Sequence, residues 1–203
     1  MQKLKLKIPI ALIILRFLLA PAILLTTFLF HHEGTTAIVA MMYIGLLSDI
    51  FDGIIARQLG IATPKLRRLD SQVDMIFWVA IGISSYILFP GVIRANAVPV
   101  ILVFAMEAAC YAISFIRFGK EPSTHAFLAK MWGITLLVAF TSLIGFGYAG
   151  IPFALAIIFG LLSHFDRILI LLIIPHWTHD IPSAYHAMLI RKGIAFKKNK
   201  LFN

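Results

Sequence analysis

The chain has 203 residues, of which 61% are hydrophobic and 13% charged, with 18 Lys and Arg against 9 Asp and Glu. Soluble domains are about half apolar and about a quarter charged, so the composition excludes an ordinary water-soluble fold and points to the membrane. A formal charge of +9 would suggest nucleic acid in a soluble protein; here it reads as topology signals and attraction to anionic headgroups or phosphorylated substrates, with no nucleic-acid partner.

A membrane helix needs about 20 mostly apolar residues, because the hydrocarbon core is about 30 Å thick and each residue rises about 1.5 Å. Six stretches qualify, over roughly 8–30, 36–58, 71–90, 92–117, 126–148 and 151–175. The basic start resembles a signal peptide, but the apolar run behind it is too long and shows no cleavage site, so it is expected to remain as the first span. Breakers fall between or beside the stretches: His31-His32-Glu33-Gly34, Thr63-Pro64, Pro90-Gly91, Gly119–Pro122, Gly150-Ile151-Pro152 and Pro175. With the N-terminus inside, one side receives Lys3, Lys5, Lys7, Lys65, Arg67, Arg68, Arg117, Lys120 and the basic tail, and the other little beyond Arg94. That asymmetry predicts N-in and C-in termini. Trp177, Tyr185 and the cationic end of the chain suit a segment lying on an anionic membrane surface. The expected fold is therefore an all-α integral membrane protein of six transmembrane helices, one domain over 1–203, with 176–203 as an interfacial or cytoplasmic tail. The single Cys110 excludes an intrachain disulfide or a thiolate metal site.

Four of the six aspartates fall between residues 49 and 74. Asp49 and Asp52 are three apart near the cytoplasmic end of the second span; Asp70 and Asp74 are four apart at the cytoplasmic start of the third. Each pair shares a helix face, and the short connection makes the two helices antiparallel neighbours, so four carboxylates converge at the membrane boundary. Like charges so close require a cation, and an all-oxygen donor set favours Mg²⁺, Mn²⁺ or Ca²⁺ over Zn²⁺. Gly53 and Ala56 lie on the same face and let a ligand approach the backbone. Arg57 offers a guanidinium suited to phosphate. The competing reading, acids that cap helix ends or pair with Arg57, Lys65, Arg67 and Arg68, suits one isolated aspartate better than four.

DIFDGIIAR, followed after twelve residues by DSQVD, resembles the signature of the CDP-alcohol phosphatidyltransferases, D-x₂-D-G-x₂-A-R-x₇₋₈-G-x₃-D-x₃-D. The second glycine of that signature falls at Leu66. The resemblance implies attack by an acceptor alcohol on the β-phosphorus of a CDP-linked donor, usually CDP-diacylglycerol, with CMP as leaving group. It implies Asp49, Asp52 and Asp70 as ligands of Mg²⁺ or Mn²⁺, with two ions expected. It implies Asp74 as the base that takes the acceptor's proton, also able to touch metal. Spacing alone does not say which acid is the base. Gly53, Ala56, Arg57 and the position of Leu66 belong to the donor nucleotide's surroundings, and a homodimer is a further implication.

Family members often carry N-x₂-T-x₂-R in the first span; this chain has Ile10, Ile13 and Arg16 there. Arg16 reads either as a donor-phosphate ligand or as a side chain snorkelling to the headgroups. Between the fourth and fifth spans, Arg117, Ser123, His125 and Lys130 are acceptor-pocket candidates. They favour glycerol 3-phosphate as acceptor, with inositol phosphate, serine and phosphatidylglycerol as alternatives; Arg117 and Lys130 are also ordinary positive-inside residues. Glu107 and the His164, Asp166, Arg167 knot read first as links between helices; Asp166 and Arg167 point about 100° apart and so serve different partners. His176, His179, Asp180 and His186 match no ligand spacing and read as solvated. A cation-coupled carrier fits poorly, because the acids crowd one end and no repeat is visible. A catalytically silent homologue is the other alternative.

Overall fold

The apolar stretches form helices in a computed structural model that describes residues 7–61, 63–122, 126–179 and 181–194. In chain order these are α1 (Lys7–Phe30), a 3₁₀ turn (His31–Gly34), α2 (Thr35–Gln58), α3 (Pro64–Leu88), the short α4 (Pro90–Ala95) and α5 (Ala97–Phe118). Then follow α6 (Phe127–Phe140), a π-helical turn (Thr141–Gly145), α7 (Gly150–Ile173) and α8 (Ala184–Arg191). No strand occurs among the described residues. Among the described residues five helical runs are long and apolar enough to cross a membrane, and the first of them, Lys7–Gln58, contains both α1 and α2.

The junction in that first run is sharp. His31 adopts a left-handed φ of 46°, and a Cβ on Gly34 would stand 2.8 Å from Thr26 Cγ2, so a glycine is needed where the chain folds back. Helices α1 and α2 match the expected stretches to within one residue. Helix α3 does not: it begins at Pro64 rather than near 71. Thr63 caps it, accepting from the Leu66 amide at 3.2 Å, and Pro64 fills the first helical position. The turn carrying Lys65, Arg67 and Arg68 is too polar for a hydropathy count, which hides the helix start. Asp70 and Asp74 therefore lie well inside α3 rather than at its beginning. The expected fourth stretch is likewise divided, at Asn96, into α4 and α5.

Residues Met1–Ile93 and Phe140–Tyr148 form one compact unit. Within it α1 packs along both α2 and α3, whereas α2 and α3 touch each other little. The expectation that α2 and α3 pack as direct neighbours is thus corrected: α1 lies against both. Ile13, Ile23, Ile38, Met42, Phe77 and Ile81 fill this core. The Thr27 and Ser84 hydroxyls meet at 2.8 Å between α1 and α3, a polar link of the kind that helices in lipid use. Where α2 and α3 do meet, Phe77 packs onto Gly45, and a Cβ there would overlap its ring. Gly45→Ala should therefore cost about 1–3 kcal/mol, read as a lower unfolding temperature in detergent and relieved by Phe77→Leu. Outward faces carry large apolar side chains, Leu29 at 70% exposed among them, an arrangement suited to lipid and hazardous in water.

Residues Arg94–Ala139 and Ala149–Asn203 form the second unit, in which α5 packs on α7 and α7 on α8. Helix α5 stops at Gly119, whose φ of 64° supplies the left-handed residue of a helix end. The segment after Pro175, expected to lie at an interface, packs into the core of this unit. Ile181 and Ala187 are buried with Ala126, Ile170 and Ile174, and the Asp166 carboxylate accepts from the Ala184 amide at the start of α8, at 2.9 Å. The Phe127 amide donates to the Pro182 carbonyl at 2.9 Å. Tyr185 and Met188 remain on the exposed face of α8.

Candidate active site

Helix periodicity places Asp49 and Asp52 on one face of α2, and Asp70 and Asp74 on one face of α3. Both faces turn toward Arg16 of α1, whose side chain is 0% exposed. Its Nη1 donates to Asp49 Oδ1 at 2.5 Å and to Asp74 Oδ1 at 3.4 Å. Its Nη2 donates to Asp52 Oδ2 and, at 2.9 Å, to Asp70 Oδ1. Each terminal nitrogen thus joins one acid of α2 to one acid of α3. The Nε is buried without a hydrogen-bond partner among the described residues. Of the two readings of Arg16, snorkelling is excluded, since the side chain turns into the helix cluster rather than out to the headgroups.

Carboxylate oxygens of Asp49, Asp52 and Asp70 all lie within 4.8 Å of one another, and Asp74 falls outside that group. The Asp52 side chain is 4% exposed, against 36% for Asp49, 30% for Asp70 and 39% for Asp74. The cluster therefore has a buried floor at Asp52 and an open side at the other three. Three hard oxygen donors at this separation, without nitrogen or sulfur, fit Mg²⁺ or Mn²⁺. One guanidinium offsets only one of four carboxylate charges, which also favours a bound cation.

The neighbouring signature residues divide into two groups. A Cβ on Gly53 would make only ordinary contact, 3.4 Å to Arg57 Nη1, so protein packing does not demand a glycine there. Arg57 is exposed beside it. Ala56 and Leu66 are buried in an apolar cluster with Ile13 and Val73, against which Ile10 and Ile61 pack. The three departures from the family pattern, Ile10, Ile13 and Leu66, meet in that single cluster. Ile10 and Ile13 share a face of α1, but nothing in sequence position links them to Leu66.

The second unit holds its own polar group. His164 Nδ1 lies 2.5 Å from the Gly160 carbonyl and Nε2 lies 2.6 Å from Glu107 Oε2, the same oxygen that accepts from Arg167 Nη1 at 2.5 Å. Trp132 packs edge-on to the His164 ring, with centroids 4.7 Å apart. Asp166 and Arg167 serve different partners, Ala184 and Glu107, as their angular separation suggested. Glu107→Ala should destabilise the protein by about 3 kcal/mol because it strands the buried His164 and the partly buried Arg167, whereas Glu107→Gln should cost less; chemical denaturation in detergent separates the two variants.

Among the acceptor candidates, Arg117 donates to the Leu171 carbonyl and, at 3.4 Å, to the Ile174 carbonyl, a cation at the C-terminal end of α7. Lys130 lies in the first turn of α6. Ser123 and His125 lie outside the described residues, as does Asp180. In the tail, His186 Nδ1 is 2.9 Å from Ser183 Oγ and His179 stands edge-on to Trp177 at 6.1 Å. Neither joins a metal-competent group among the described residues.

Apolar helical runs long enough to cross a membrane, together with a carboxylate cluster that could hold a cation, mark an integral membrane protein. The chain belongs to the CDP-alcohol phosphatidyltransferase family, whose sequence profile matches residues 6–174. No curated protein and no solved structure matches it. Membership makes it a phosphotransferase of phospholipid biosynthesis that moves a phosphatidyl group from a CDP-linked alcohol.

Proposed function

We propose that the chain transfers a phosphatidyl group from CDP-diacylglycerol to an alcohol acceptor and releases CMP, with glycerol 3-phosphate the favoured acceptor. The observation that carries this reading is the three-carboxylate donor set of Asp49, Asp52 and Asp70 within a family that handles CDP-alcohols. We also propose six spans, counting α1 and α2 separately, with both termini and the cluster cytoplasmic. The adjacent Lys65, Arg67 and Arg68 support that orientation.

Asp49, Asp52 and Asp70 would hold Mg²⁺ or Mn²⁺, two ions in the family's manner. Ions held by these three carboxylates would supply positive charge against the donor's diphosphate. To Asp74, outside the three-carboxylate group and 39% exposed, we assign the removal of the acceptor's hydroxyl proton. The acceptor oxygen then bonds to the β-phosphorus as the bridging bond to CMP breaks. Arg57, exposed above Gly53, offers a fork for a donor phosphate. Ala56 and Leu66 shape the floor near that face from within the apolar cluster. Lys130 and Arg117 are proposed for the acceptor's phosphate, Arg117 only if it exchanges its α7 carbonyls for that ligand.

The test is CMP release by the purified chain with CDP-diacylglycerol, Mg²⁺ or Mn²⁺ and a panel of alcohols. Release with one acceptor, abolished by chelation, is expected. No release with any acceptor, from folded protein that binds Mn²⁺, would remove the reading.

A further inference from the structure

The guanidinium of Arg16 contacts the same three carboxylates that form the cation donor set, and Asp74 besides. Its two terminal nitrogens stand between α2 and α3, where oxygens of both helices converge. A charged arginine inside a membrane unit requires partners, because water is not there to solvate it. Here the partners are acids that would otherwise repel one another. The side chain is thus a built-in cation at the centre of an acidic site.

We propose that Arg16 is a tethered counter-ion that competes with a divalent cation for Asp49, Asp52 and Asp70, and that its displacement couples cation binding to phosphate binding. The proposal rests on the function proposed above. Oxygens engaged with Nη1 and Nη2 cannot close around a dication while a like-charged guanidinium keeps its place among them. Arg16 must therefore give up part of its contacts when the cation arrives. Once displaced it still needs an anion, since its Nε is already buried without a partner among the described residues and its side chain is buried. A phosphate group in the open side of the cluster supplies that anion. The two ligands then favour each other, and the coupling is reciprocal. Without either ligand, Arg16 holds the three helices α1, α2 and α3 to one centre.

The experiment compares the full-length wild type with Arg16→Gln and Arg16→Lys in detergent, using Mn²⁺ as probe and measuring free Mn²⁺ by electron paramagnetic resonance. Removing the positive charge should tighten Mn²⁺ binding about tenfold or more in Arg16→Gln. Arg16→Lys keeps the charge but loses the two-nitrogen fork, and should tighten binding about threefold. Inorganic phosphate should strengthen Mn²⁺ binding to wild type, after correction for their association in buffer, and should lose that effect in Arg16→Gln. Metal-free Arg16→Gln should unfold at a lower temperature than metal-free wild type and recover with Mn²⁺. Equal or weaker Mn²⁺ binding in the variants overturns the proposal, and Arg16→Lys alone decides if Arg16→Gln does not fold. A wild type that binds no Mn²⁺ removes the metal site of the proposed function, and this proposal with it.

Discussion

Asp52→Asn should lose cation binding and CMP release together. Asp52 is the most buried acid of the cluster, and its oxygen belongs both to the three-carboxylate group and to the Arg16 pairing. The amide keeps the shape and still accepts from Arg16, so the fold should persist. What disappears is a unit negative charge in poorly hydrated surroundings, and Mn²⁺ affinity should fall by at least about tenfold. Turnover should fall by about 10²–10³-fold, the usual cost of losing one preorganised electrostatic contact to the transition state. A direct Mn²⁺ titration beside the CMP assay checks both numbers. Retained cation affinity would remove Asp52 from the ligand set.

Asp74→Asn should separate the two properties. Asp74 lies outside the ligand group and touches Arg16 only at 3.4 Å. As the proposed base it would contribute through proton transfer, and its loss should slow CMP release by about 10²–10⁴-fold. Mn²⁺ affinity should stay within about threefold of wild type, because the proposed ligand set is Asp49, Asp52 and Asp70. A variant whose cation affinity collapses as far as that of Asp52→Asn would reassign Asp74 to the metal.

The contrast between these acids was only partly legible in the sequence. Spacing put each pair on a helix face, and signature order divided the four acids three to one. Spacing did not reveal that α1 lies against both α2 and α3, because packing partners depend on complementary surfaces rather than on chain order. Arg16 was for that reason an ambiguous residue until its four partners came into view. The start of α3 was hidden by Lys65, Arg67 and Arg68, whose charge masks a helical turn from any count of apolar residues. Ile10, Ile13 and Leu66 stood out as separate departures, and only the fold brings them into one apolar cluster. Asp166 and Arg167 were more readable: two neighbours on a helix point in different directions, and here they bind different partners. The burial of Ile181 and Ala187 escaped notice because a short helix among basic residues looks like a surface feature.

The position of Arg16 on α1 has a consequence for how the protein is made. The α1 and α2 segments leave the ribosome before α3, and they already contain a cation and the two acids Asp49 and Asp52 that it can neutralise. A carboxylate taken into the bilayer alone carries a cost of about 2.5–3.5 kcal/mol on the insertion scale, and pairing between these two segments reduces that cost before α3 exists. Asp70 and Asp74 then arrive on a helix whose polar first turn holds Lys65, Arg67 and Arg68. The arginine that sits among the acids of the finished site is, earlier in the protein's life, an escort for the first pair.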